Sequence, residues 1–196
     1  MILAGHKTNW GTVGADELSA TLWRERRQLD FLLFLLETQL LHLRAGNWHR
    51  LNFTAAELEK VLENLRFESL ARGVEASALA SEWKAPDRLT LPALISIAPP
   101  GMWPELLEDH RRGMTALLGE IDHAVAANVS LLQGPLGSGT VSQSPQLDAG
   151  PDLAGSDGFG GSDDLALLAR DANVHRAIAA VQGATLPTLR DFLGLG

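Results

Sequence analysis

Leu22, Leu29, Leu36 and Leu43 recur every seven residues, and Leu33 and Leu40 follow Leu29 and Leu36 at an offset of four. Such a repeat draws an apolar strip along one side of a helix and has no counterpart in a strand, whose faces alternate with period two. It predicts a long amphipathic helix from about Asp16 to Ala45, roughly 45 Å at the helical rise per residue. Gly46 suits the left-handed position that ends a helix, and Asn47 is placed to cap the next one. Inside the strip stands FLLFLL, residues 31–36. Six consecutive large apolar residues cover more than one seam needs, so this helix is expected to serve two neighbours, or one neighbour and a bound protein.

The second segment repeats the pattern with Trp48, Leu51, Ala55, Leu58, Leu62 and Leu65. The short AGN connection predicts that it runs back antiparallel to the first. The pattern weakens after Gly73 and ends at Pro86-Asp87. RLTLPALISIAPPG then reads as a connector with one short helix that carries the chain across a bundle end. A third long helix opens at Trp103-Pro104, where a first-turn proline costs no hydrogen bond. Its expected seam is Trp103, Leu107, His110, Met114, Leu117, Ile121, Ala124, Asn128 and Leu131, heptad throughout.

The expected fold class is therefore all-α, an elongated antiparallel three-helix bundle of coiled-coil type over residues 16–133, after a flexible N-terminus over 1–15. Residues 134–162 are rich in Gly, Ser, Pro and Asp with little apolar periodicity, which predicts a disordered linker. Helical period returns over 163–196. Leu167, Val174, Ile178 and Val181 share a face behind Asp163 or Asp164 as cap, and TLPTLRDFLGLG adds Leu189, Phe192 and Leu193. Apolar faces at the end of a tether want a surface to cover them. One expectation is a client's surface, another is the FLLFLL strip of the same chain, and a third is that the segment completes the bundle as a fourth helix.

Charge and composition narrow the function. The net charge of −8 and pI near 5.2 speak against a nucleic-acid surface, which needs clustered Lys and Arg. Arg24, Arg26 and Arg27 are interrupted by Glu25, and Arg111 and Arg112 follow Glu108 and Asp109, so both groups read as mixed solvated faces. From Gly134 onward seven Asp stand against three Arg, which disfavours binding to anionic lipid. FLLFLL is closed by Asp30 and Glu37, too short to span a bilayer, and the first residues lack the pattern of a secretory signal. With cysteine absent, a cytoplasmic protein is the expectation.

Chemistry is scarce. Glu120 and His123 make a Glu-x-x-His on one helix face, but the only companion, Gln39 with His42, offers an amide where a bridging carboxylate is needed. The reading is no metal and no cofactor, with Glu120 and His123 solvated and His110 a seam residue hydrogen-bonded to a neighbour. Ser138 lacks a nucleophile elbow, and no phosphate loop or dinucleotide fingerprint is present. Neither an enzyme nor a small-molecule substrate is expected.

Two stretches resemble a known family. LWRERRQLDFLLFLLETQLLHLRAGNWHRL, Leu22 to Leu51, is similar to the opening of actinobacterial FlgN-type flagellar export chaperones, and EDHRRGMTALLGEIDHAVAANVSLL, Glu108 to Leu132, resembles their last long helix. The resemblance implies a cytoplasmic, non-catalytic helical protein that holds hook-associated proteins, those of the hook-filament junction, before type III export. The export apparatus is a candidate second partner. It further implies a client-binding C-terminal region, which here means Leu167, Leu168, Val174, Ile178, Val181, Leu186, Leu189, Phe192 and Leu193. The long Gly/Ser/Asp stretch before that region departs from the family's pattern. A structural coiled-coil adaptor or oligomerisation module, using the same seams between subunits, is the alternative from a different class.

Overall fold

The computed structural model describes residues 13–85, 89–134 and 161–196. It is all-α, with no strand among the described residues: α1 spans Val13–Arg44, α2 Leu51–Trp83, α3 Leu91–Ile97, α4 Trp103–Gln133, α5 Gly161–Gln182 and α6 Pro187–Leu193. The expected disordered linker lies almost wholly outside the described residues, as does most of the expected flexible N-terminus.

Helix α1 begins three residues ahead of Asp16, because Ala15 and Leu18 extend its apolar strip and are fully buried. Its buried line runs Leu18, Leu22, Glu25, Leu29, Leu32, Leu36, Gln39 and Leu43, at alternating steps of four and three. The second half of the seam thus stands three residues after Leu29 and Leu36. The expected Leu33 and Leu40 are only half-buried. Counting apolar residues selected the wrong offset because two seam positions are polar. FLLFLL divides accordingly: Leu32, Leu35 and Leu36 are buried, whereas Phe31 and Phe34 are exposed.

Gly46 adopts φ +70° and ends α1 as expected. Asn47 caps no long helix: it precedes a short 3-10 turn, Trp48–Arg50, and makes no side-chain cap bond, and α2 starts at Leu51. The expected line from Leu51 to Leu65 is buried behind a half-buried Trp48, and the buried face continues through Arg72, Ala76, Leu79 and Ala80. Lys84, in the left-handed conformation, closes α2 by donating its N–H to the Ala80 carbonyl. The connector helix α3 is capped by Thr90, whose hydroxyl accepts from the Ala93 N–H at 3.4 Å.

The α4 seam is not strictly heptad. Leu118 and Leu132 are buried where Leu117 and Leu131 were expected, so the steps are 4, 3, 4, 4, 3, 3, 4 and 4. Their mean of about 3.6 is that of a straight α-helix, whereas a strict seven-residue repeat drifts by roughly 20° per heptad.

Four long helices, not three, form the bundle. Helix α1 packs on α2 and α4, and α5 packs on the same two from the opposite corner, with α3 against α4 and α6. Cross-contacts give the directions. Glu25 meets Arg72 and Gln39 meets Thr54, so α1 and α2 are antiparallel. Ser19 meets His110 and Gln39 meets Asn128, so α1 and α4 are parallel. Arg176 meets Glu59 and Gly183, just after α5, lies against Leu62, so α5 is parallel to α2, and Arg190 meets Asp122, which puts α6 beside the middle of α4. The tether length does not decide this outcome. Val174, Ala177, Ala180 and Val181 form an apolar face that finds a matching groove on the molecule itself, between α2 and α4.

Candidate binding site

The groove between α2 and α4, with α5 and α6 seated in it, is the candidate site. Val174, Val181, Leu189, Phe192 and Leu193 are buried there, and Ile178 and Leu186 are half-buried against the same core. Leu167 and Leu168 lie within α5, but their side chains fall outside what the structure describes. The groove is not the FLLFLL strip: α5 packs chiefly on α2 and α4. Sequence reasoning passed over Ala177, Ala180 and Ala184, all buried. Their signal was present, since 174, 177, 181 and 184 keep heptad spacing, but alanines were not counted as apolar anchors. Small side chains let α5 sit close, and at Gly183 a Cβ would come within 2.9 Å of Leu62 Cδ1.

Polar contacts fix the register of the seated segment. The Arg176 guanidinium donates to both Glu59 oxygens at 2.8 and 2.5 Å and to Asn52 Oδ1 at 2.6 Å, which holds the Glu59 carboxyl below its usual range. Arg190 donates to Asp122 Oδ1 at 2.6 Å and to the Thr185 carbonyl at 2.7 Å. Leu186 joins the two helices in a left-handed conformation, φ +47°, that only a packed surrounding holds for a branched side chain.

Beneath α6 lies a buried ion pair. Glu25 of α1 accepts from Arg72 of α2, both almost fully buried, and the Arg72 guanidinium lies 4.8 Å from the Phe192 ring centroid. Arg72 also donates to Ser69 Oγ at 3.0 Å, while Glu25 Oε2 has no partner. Burial pushes the Glu25 carboxyl up, against the opposing pull of Arg72. A cleft of about 460 Å³ opens beside the pair, lined by Leu62, Leu65, Leu186 and Leu189 among others. Glu25 does not belong to a solvated face with its arginine neighbours, as its place in the sequence suggested. It occupies a seam position, and so does Arg72, which repeats the period of Leu65, Ala76 and Leu79.

The remaining polar residues are structural. His110 is fully buried, 3.0 Å from Ser19 Oγ and edge-on to Trp23. Asn128 accepts from Gln39 and donates to the Leu36 and Ala124 carbonyls, and Thr54 donates to Gln39. Glu120 and His123 are exposed, and among the described residues no group of three His, Asp and Glu side chains is placed to hold a metal ion. No described helix is long and apolar enough to cross a membrane. Compared with known proteins, the chain matches no family model, no curated protein and no solved structure.

Proposed function

We propose that the protein is a cytoplasmic chaperone of type III flagellar export that binds the terminal helices of hook-associated proteins and keeps them export-competent without catalysis. The reading is supported by the resemblance over Leu22 to Leu51 and Glu108 to Leu132, and above all by one observation: an amphipathic helix already lies in an apolar groove of the bundle. Helix-in-groove docking is how helical partners are commonly held. In this reading α5 and α6 occupy the groove as a resident ligand, and a client helix exchanges with them. The released segment then offers Val174, Ile178, Val181, Leu189, Phe192 and Leu193 to the client as well. Closure by the resident segment lowers the apparent client affinity by the fraction of molecules that are open.

The test mixes the full-length chain with the C-terminal helical region of a hook-associated protein and reads complex mass by light scattering. A defined complex is expected. Glu59→Cys and Arg176→Cys introduce the only two thiols of the chain, and joining them with a short bismaleimide holds α5 in place. The joined form is expected to lose the complex. Binding that survives joining would move the client to another face, and no complex in either form would overturn the reading.

A further inference from the structure

The outer face of α1 carries a second seam that the bundle leaves open to solvent, with only Trp23 reaching back, edge-on to His110. Trp23, Arg27, Asp30, Phe34, Glu37 and Leu41 follow one another at steps of 4, 3, 4, 3 and 4, the spacing of a coiled-coil core line, yet all six are exposed. Exposure reaches 48% for Trp23, 58% for Phe34 and 64% for Leu41. Phe31, 43% exposed, flanks the line and stacks on Phe34 with ring centroids 6.2 Å apart. Helices α2 and α4 flank α1 and α5 takes the opposite corner, so this face looks out of the bundle.

The charges on the face are its second peculiarity. On the flanks Arg24 pairs with Glu68 and Arg26 with Asp109. On the line itself, Arg27, Asp30 and Glu37 form no ion pair with any described residue. The spacing of the line is symmetric about Leu32: Trp23 mirrors Leu41, Arg27 mirrors Glu37 and Asp30 mirrors Phe34. A second copy of α1 laid antiparallel, with its two-fold axis at the level of Leu32, therefore sets each Trp23 against the other copy's Leu41. The same axis sets each Arg27 against the other copy's Glu37 and each Asp30 beside the other copy's Phe34, with the Phe31 and Phe34 rings near the centre. A parallel copy in register would instead oppose Arg27 to Arg27 and Glu37 to Glu37.

We infer that this face is the isologous interface of an antiparallel homodimer, two bundles joined back to back through α1. The inference goes beyond the chaperone reading and does not depend on it. The seam is about 27 Å long. An interface of that size is at the small end for specific complexes and points to a dissociation constant on the order of micromolar.

Sedimentation velocity on the full-length chain, without any client, tests it over roughly 2 to 200 μM. The mass is expected to rise from 21.1 kDa towards twice that value, about 42 kDa. Arg27→Glu and Glu37→Arg, both on exposed positions, should each weaken association at least about tenfold, and the double variant should restore it. For orientation, Trp23→Cys and Leu41→Cys chains are mixed and treated with a short bismaleimide. Unlike chains should join and like chains should not. A chain that stays at 21.1 kDa throughout, a dimer indifferent to both charge reversals, or joining of like with like would each overturn the inference.

Discussion

Two buried polar residues carry the sharpest predictions. Removing one partner of a buried ion pair leaves a charge with nothing to answer it, and such losses cost about 3–5 kcal/mol. Arg72→Met is expected to fall in that range in urea unfolding, because Glu25 would be left buried and Phe192 would lose the cation over its ring. Adding Glu25→Gln should recover most of the loss, since the charge that needed Arg72 is then gone. His110 gives a pH signature. Burial holds its imidazole below the usual histidine range, so the unfolded chain takes up the proton more readily than the folded one. Stability is complete above the unfolded value near 6.5 and declines as pH falls through it towards the folded value. Thermal melts at pH 7.5 and 5.5 should differ, and His110→Asn should remove most of that difference.

Among elements, α5 is the one whose attachment invites measurement. Val181 is fully buried in the groove, and Val181→Asp places an unpaired carboxylate there, which should free α5 and α6 while leaving α1 folded. Hydrogen exchange should then lose protection over 174–193 and keep it over 18–43. Arg176→Ala touches only exposed groups, and its cost should be small beside that of Val181→Asp. The long helices were legible in the sequence, because leucine period and Gly or Pro punctuation act locally. The partner of each face was less so. The offset in α1 was not legible, since Glu25 and Gln39 fill core positions, and their burial depends on Arg72, Thr54 and Asn128 elsewhere in the chain. The α4 seam slipped by one residue at Leu118 and Leu132, where a straight helix overrides an assumed heptad. The fourth helix stays one of three expectations in the sequence, since its anchors include alanines whose value depends on a groove that no single segment encodes.

At the scale of the molecule, the path of the chain matters more than any one contact. The first two helices form a local hairpin, and α4 joins α1 across the end carried by α3. The groove for α5, in contrast, is closed by contacts such as Arg176 with Glu59, 117 residues apart in sequence. Contacts of that separation form late, because loop closure must precede them. During synthesis, residues 1–133 are complete while the segment that covers them is still being made. At about 5–20 residues per second, the roughly 60 residues from Gly134 onward take on the order of 3–12 s. Within that interval, once α4 has left the ribosome and before α5 has, a nascent chain displays Leu62, Leu65 and the facing side of α4 uncovered, and any helix that reaches them first competes with a tail not yet free to fold.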